Sequence, residues 1–442
     1  MKHTNLFIRL SLILLAIISC NNSITENGND AILDWAQDNA SEIETLELTN
    51  RHDDLELLEQ IIGEAQLVCL GESRHDIREQ FMLKHRFIKY LVEELGFTTL
   101  ILEASIPYSK EINEYILTGD GNLEDIMANM PGWFLWDTQE MTDIFNWMRD
   151  YNTDPENLQK LKFFGIDIMA PNNGLDQIFD FLRIVDQKAL ENFESKEYAR
   201  STIEDDNWQQ TFQGYSGLSA GQKQILNDNY EELYMHLLQN ESEYISLASA
   251  EEFNWILRLA YSARAANEMF SAEERIDMGL IRDNAMAQNT LWIKNSLSHE
   301  KIIVWAHNVH IAMGEFTMSV ETESIKGMGY LLKKELGEDM VSIGAAFNHG
   351  EFQDWNRSFP YADSNTIDGT LAQLGMNFAL IDLNGETDNE HVLDWLNTGN
   401  VLRAMDFYMT CVPTGSFDAF YFTDSISRTT PNPESLLRFR EQ

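Results

Sequence analysis

Apolar and polar positions along the chain alternate between two periods. Continuous apolar runs at Leu67–Leu70, Thr98–Leu102, Leu161–Ile166, Lys301–Ala306, Met340–Ala346, Phe378–Ile381 and Ala419–Phe422 predict buried strands. Helix-length stretches separate them. After the first run, Ile77, Phe81, Ile88, Leu91 and Leu95 fall on one helical stripe. Lys84 lies in that stripe, where a lysine either snorkels out to water or reaches a carboxylate near the sheet edge. Ala31–Leu48 and Leu55–Ile62 predict helices leading into the first strand. This alternation predicts an α/β fold with a largely parallel central sheet covered by helices on both faces.

Between Asp176 and Leu297 the strand signal disappears, which predicts an inserted helical lobe over 176–297 and an α/β core formed by 31–175 and 298–442. Capping boxes at Ser219 with Gln222, Ser249 with Glu252 and Ser271 with Glu274 each precede a helix-forming run. In the last of these helices Met278, Arg282, Ala285, Asn289 and Trp292 share a face, so the arginine is either paired internally or aimed at a ligand. Pro171 and Gly174 are expected to close the turn after the third strand. Trp133, Phe134, Trp136, Phe145 and Trp147 are read as core aromatics.

The N-terminus departs from this pattern. Lys2 and Arg9 flank an apolar run, Leu10–Ile18, too short to span a bilayer but suited to a secretory signal. It ends Ile17-Ile18-Ser19-Cys20, which resembles a bacterial lipobox. The expectation is a signal over 1–19, a lipidated Cys20, a polar tether to residue 30, and an exported protein anchored in the cell envelope. The other reading is an ordinary signal with a chance cysteine. Of the remaining cysteines, Cys69 and Cys411, burial as small apolar residues is favoured over a disulfide. A formal charge of −41 excludes nucleic acid as a partner, since phosphates are neutralised by clustered Lys and Arg.

Charge-bearing residues gather at the strand ends. Glu72 and His75 follow the first strand, Glu103 the second, Asp167 the third, and His307 with His310 the fourth. In an open α/β sheet these ends converge on the ligand crevice. Neutral imidazole can take a proton from water while a carboxylate orients it, and a further histidine can donate to a developing oxyanion. Gly71-Glu72-Ser73-Arg74-His75, Leu102-Glu103-Ala104 and Trp305-Ala306-His307-Asn308-Val309-His310 together resemble the signature blocks of the erythromycin esterase family. Phe164-Gly165-Ile166-Asp167, Arg282-Asp283 with Met286-Ala287, and Met328-Gly329-Tyr330 support the resemblance, which runs from about Leu55 to Asp424.

The resemblance implies hydrolysis of a macrolactone or other carboxylic ester by activated water on an α/β core with helical insertions. It implies His75 as general base, Glu72 and Glu103 as its carboxylate partners, and His307 and His310 lining the pocket. Lys84, Arg282 and Asp167 are the expected substrate contacts. Lys84 stands where some members have arginine and lacks its bidentate fork. No cofactor is expected. Two alternatives remain from the residues alone: a metal-dependent hydrolase using the same Glu and His cluster, and a lipid-anchored protein that binds a ligand without turnover. A serine hydrolase is disfavoured because no Gly-x-Ser-x-Gly elbow is present and Ser73 occupies no nucleophile position. Fatty-acid labelling in a bacterial host should mark the wild-type chain, and Cys20→Ala should abolish the label. An unlabelled wild type would contradict the lipobox reading.

Overall fold

The run Leu67–Leu70 has no exposed residue because it is an interior strand covered on both sides. This is seen in a computed structural model that describes residues 28–433 apart from 50, 129–134, 199, 201–207, 322 and 353–355. Leu10–Ile18, Cys20, the tether to residue 27, Trp133 and Phe134 lie outside the described residues.

The strands are β1 (Ala40–Glu42), β2 (Leu67–Leu70), β3 (Phe97–Ser105), β4 (Lys162–Asp167), β5 (Lys301–Trp305), β6 (Phe316–Met318), β7 (Met340–Phe352), β8 (Arg357–Phe359), β9 (Phe378–Asp382), β10 (Asn400–Ala404), β11 (Phe407–Cys411) and β12 (Ala419–Ile426). The main sheet has the order β1-β9-β12-β7-β2-β5-β3-β4, with β8 paired to β7. From β12 to β4 every pairing is parallel, while β1, β9 and β8 join antiparallel. The fold is therefore the expected mostly parallel α/β sheet.

Side chains alternate between the two faces with the strand period of two. Val68, Leu70, Leu100, Leu102, Ile303 and Trp305 pack on Phe81, Phe87 and Leu91 of the helix Arg78–Glu93, and on Met141 and Phe145 of Gln139–Thr153. Leu67, Cys69, Ile101, Ile302 and Val304 pack instead on Met286 and Ile293 of the helix Arg275–Ser296, and on Met328 and Leu332 of Met328–Leu336. Both faces are apolar, which is why these strands appear in the sequence as uninterrupted hydrophobic runs. The chain leaves β2 toward the first face and β5 toward the second. Adjacent strands whose connections diverge mark the switch point at which an open α/β sheet places a ligand, and here that point lies between the loops after β2 and β5.

Between β4 and β5 all described elements are helices, and Pro171–Val185, Ala220–Gln239 and Ala250–Ser271 share a hydrophobic core of their own. Ser219 and Gln222 form a complete capping box, and the Ser249 side chain accepts from the Glu252 N–H. Ser271, expected to cap the next helix, is instead the last residue of Ala250–Ser271. The following helix begins at Arg275 with no side-chain cap, because the short turn leaves Ser271 outside the N-cap position. Pro171 and Gly174 do not close a turn. They open the helix Pro171–Val185, where proline is tolerated because its missing N–H has no helical partner at the first turn.

The helix expected over Ala31–Leu48 is shorter. Helix 28–38 takes in the last tether positions, and Ala40–Glu42 then pairs with Ile381, Leu380 and Ala379 on the edge of β9. An open sheet edge supplies ladder partners that outweigh a weak local helical preference. The small antiparallel sheet β10-β11-β6 also has no distinct sequence signal, since its strands are short and half-buried.

Gly71 follows β2 where the backbone must pass close to Asn308. A Cβ there would lie 2.3 Å from Asn308 Oδ1 and 3.0 Å from the Ile343 carbonyl. Asn308 cannot retreat, because Oδ1 accepts from Ala345 N–H at 2.9 Å and Nδ2 donates to Ala345 O at 2.8 Å. Gly71→Ala should therefore destabilise the protein by ~1–3 kcal/mol in urea unfolding, the usual range for overpacking. An unchanged midpoint would show that the loop has room to move.

Candidate active site

Glu72 emerges from β2 with its carboxylate entirely out of water. Oε1 meets His75 Nδ1 at 2.5 Å, and Oε2 accepts from Lys84 Nζ at 2.5 Å and from Trp305 Nε1 at 2.6 Å. Burial alone would raise the Glu72 pKa, but the Lys84 ammonium and the His75 bond outweigh it and hold the carboxyl below its ordinary value. The Lys84 ammonium lies 3.6 Å from the Trp305 ring centroid, and burial draws its pKa down to about 8 against the opposing charge of Glu72. Lys84 thus reaches a carboxylate at the sheet edge. Its expected role as a substrate contact is corrected, because the ammonium stands behind Glu72 with no exposed surface.

His75 keeps 15% of its side chain exposed and has no hydrogen bond to Nε2 among the described residues. Burial disfavours its imidazolium, yet the Glu72 hydrogen bond and the Glu103 charge prevail and raise its pKa above the ordinary value.

A second cluster forms where β3, β4, β5 and the helix Arg275–Ser296 meet. β3 continues past Glu103 to Ser105, with its register to β4 shifted between Leu102 and Ser105. Glu103 Oε1 accepts from Arg282 Nη2 at 2.8 Å and lies 3.2 Å from His310 Nε2, and Oε2 accepts the His307 backbone N–H at 2.8 Å. Of the two expected carboxylate partners of His75, Glu72 is bonded to it, whereas Glu103 makes no hydrogen bond to it and acts on it through its charge. Arg282 also grips Asp167 with two bonds, Nε to Oδ1 at 3.0 Å and Nη2 to Oδ2 at 2.7 Å. It remains 19% exposed, so it can still meet a ligand, and its two carboxylates raise its pKa against burial. Despite burial, His310 and Arg282 hold the Glu103 pKa well below the usual range.

The two histidines after β5 differ. His307 Nδ1 accepts the Val309 N–H at 3.2 Å, so Nε2 carries the proton and donates to Ser73 O at 2.9 Å. Burial, then the charge of His75, pushes its pKa down to about 3, and it stays neutral. With both nitrogens committed to backbone and 2% of the residue exposed, His307 braces the loop after β2. Its ring still stands 5.6 Å from that of His75 and 6.4 Å from that of His310, within the same histidine cluster. His310 keeps 13% of its side chain exposed, meets Asp283 Oδ1 through Nδ1 at 2.5 Å, and points Nε2 toward Glu103 and Arg282.

Ser73 is unsuited to nucleophilic attack, since its buried Oγ donates to Ala345 O at 2.9 Å. Sequence reasoning missed the roles of Trp305, Asn308 and Asp283. Asp283 adjoins Arg282 in a quoted block, but its side chain meets a histidine 27 positions away, which no local pattern indicates. Cys69 and Cys411 are both free and buried, and burial pushes the Cys411 thiol up to about 12. Among the described residues no three His, Cys, Asp or Glu side chains are grouped to hold a metal ion.

Residues 92–426 match the family model described as erythromycin esterase, a span that includes Glu103, Asp167, Arg282, His307 and His310 but begins beyond Glu72 and His75. The chain is 28% identical over 326 residues to an erythromycin esterase type II of Escherichia coli, covering 70% of this chain and 76% of the relative. It is 25% identical over 328 residues to the putative hydrolase YbfO of Bacillus subtilis (strain 168), covering 70% of each. Among solved structures, a Bacillus cereus protein at 27% identity superposes with a TM-score of 0.77, over 91% of this chain and 99% of the other. The fold is also shared with a mutant of the erythromycin esterase EreC in its open conformation, at a TM-score of 0.71 and 16% identity over 89% of this chain and 99% of that one.

Because Lys84 neutralises a carboxylate that has no access to water, Lys84→Met should cost about 3–5 kcal/mol by leaving that charge partly unmatched. Thermal and urea unfolding would measure it. A variant as stable as the wild type would show that Glu72 is satisfied without the lysine.

Proposed function

The chain belongs to the erythromycin esterase family, and from the site geometry we propose that it hydrolyses a carboxylic ester or lactone by direct attack of water activated by His75. Family membership supports a hydrolase acting on a small molecule. The observation that carries the finer reading is the His75 ring, tied through Nδ1 to buried Glu72 while Nε2 has no partner among the described residues. Glu72 then holds the neutral ring as the tautomer with its proton on Nδ1, so that Nε2 presents a lone pair to water. Trp305 and Lys84 keep Glu72 from rotating away. The partly exposed Arg282 supplies positive charge for the oxyanion that develops at the attacked carbonyl. Lactones, macrolactones among them, are the leading substrate candidates. The N-terminal run ending at Cys20 supports placing this activity on a lipid anchor in the cell envelope.

The test is hydrolysis of a panel of lactones and simple esters by protein lacking its first 20 residues, with the variants measured on the best substrate. His75→Asn should lower kcat/KM by ~10²–10⁴, and Glu72→Gln and Glu103→Gln should each be severe but not additive with it. His75 acts only when neutral and its pKa is raised, so activity should climb with pH through one ionisation above the usual imidazole value of about 6.5. Activity should survive exhaustive chelation. Stoichiometric zinc, manganese or iron, with activity lost on removal and regained on return, would establish the metal-dependent alternative instead.

A further inference from the structure

Across Glu103 from His75 stands a second carboxylate–imidazole pair that the mechanism above does not use. Asp283, on the helix Arg275–Ser296, holds His310 Nδ1 through Oδ1 at 2.5 Å, and its Oδ2 accepts the Met328 N–H at 3.2 Å. A Cβ at Gly327 would lie 2.8 Å from that same Oδ2, so only glycine lets the backbone approach the carboxylate so closely. The pair is thus fixed from two sides.

What distinguishes His310 is that each protonation state of its outer nitrogen has a partner already in place. Protonated Nε2 faces Glu103 Oε1 at 3.2 Å, and deprotonated Nε2 can accept from Arg282 Nη1 at 3.1 Å. A group that must release and regain a proton in a nearly dry site needs this, because an unpartnered buried nitrogen is costly in either state. The charges facing His310 come from every element around it: Asp283 and Arg282 from the helix, Glu103 from β3 and His75 from the loop after β2. Burial opposes the imidazolium, but Asp283 and Glu103 prevail and raise the His310 pKa to about 10. His307, the N-cap of the short helix Asn308–Ile311 that carries His310, stays neutral.

We propose, on the premise that the chain is an ester hydrolase, that Asp283 is a positioning residue that equips His310 to protonate the departing alkoxide. His75 Nε2 takes one proton from water as the remaining O–H adds to the carbonyl carbon. When the carbon–oxygen bond to the alcohol breaks, its electron pair stays on the alkoxide oxygen, which takes the Nε2 proton of His310. Alcohol and carboxylic acid leave, the acid ionises to solvent, and the proton on His75 replaces the one His310 gave. Division of base and acid between two histidines suits alkyl esters, whose alkoxides are too basic to depart unaided.

Two esters of one acyl group, ethyl and 4-nitrophenyl, test this, because nitrophenolate leaves without a proton. In the wild type, kcat/KM for the ethyl ester should show an alkaline fall, as His310 loses its proton, that the nitrophenyl ester lacks, whereas any fall from loss of the Lys84 proton, at a pKa of about 8, is common to both. Asp283→Asn should cost the ethyl ester roughly tenfold or more and move its alkaline limb down by about one pH unit or more, leaving the nitrophenyl ester within about threefold. Equal losses on both esters, or an unmoved limb, overturn the proposal. If Asp283→Asn does not fold, the wild-type pair still decides, since identical alkaline limbs for the two esters overturn it. If the wild type turns over neither ester nor any lactone, the hydrolase premise has failed. The Asp283–His310 pairing is then read from ¹⁵N spectra of histidine-labelled protein, with His310 assigned through His310→Gln. His310 should be imidazolium at about pH 8 in the wild type and should lose its proton at a lower pH in Asp283→Asn; a neutral wild-type ring refutes the pairing's role.

Discussion

A carboxylate removed from water has to be matched on every side, and Glu72 is matched from three separate parts of the chain. His75 comes from the loop after β2, Lys84 from the helix covering one face of the sheet, and Trp305 from the neighbouring strand β5. Desolvating one carboxylate and one ammonium costs several kcal/mol each, which only close geometry repays. Strand, loop and helix are therefore held in one register by a single ion. That register sets the His75 ring: with Nδ1 committed to Glu72, its outer nitrogen is the only one left to do chemistry.

Around Glu103 the charge is arranged differently. Arg282 spans Glu103 and Asp167, so one guanidinium ties β3, β4 and the helix Arg275–Ser296 together at their ends. Asn289 on the same helix donates to Ile166 O at 2.6 Å and fixes how far that helix leans over the sheet. Imidazoles are thus placed in three electrostatic settings within one crevice. His75 and His310 are each raised by their carboxylates, and His307 is kept neutral by burial and by the charge of His75.

The small sheet also reaches this crevice. Met405, at the turn between β10 and β11, adopts a left-handed φ of 57° and donates its N–H to Ser73 O at 2.8 Å, the carbonyl that also receives His307 Nε2–H. Asp406 beside it accepts from Arg74 at 2.6 Å, and Arg74 is held in turn by Asp76. The loop carrying Glu72 and His75 is therefore clamped between β5 and a hairpin more than 300 residues further along the chain.

Much of this was legible in the sequence wherever the deciding forces were local. The apolar runs marked the interior strands, because a strand buried on both faces cannot carry polar residues. Their ends marked the crevice, and the stripe through Phe81, Ile88 and Leu91 marked the helix that packs on them. Ser219 and Ser249 announced helix starts because a cap is a contact over three residues. The rest was settled by partners distant in sequence. Ala40–Glu42 became a strand only because β9 offered an edge, and Ser271 lost its cap to the preceding helix. Lys84 could be placed in a buried stripe from sequence, but its turn toward Glu72 rather than a ligand depended on β5 setting Trp305 beneath it. His307 and His310 share one motif, yet one became a brace and the other a partner of Asp283. Sequence spacing specified which groups stand at the sheet edge, whereas their protonation and pairing were decided by the tertiary structure, since both depend on burial and on charges that meet only after the chain has folded.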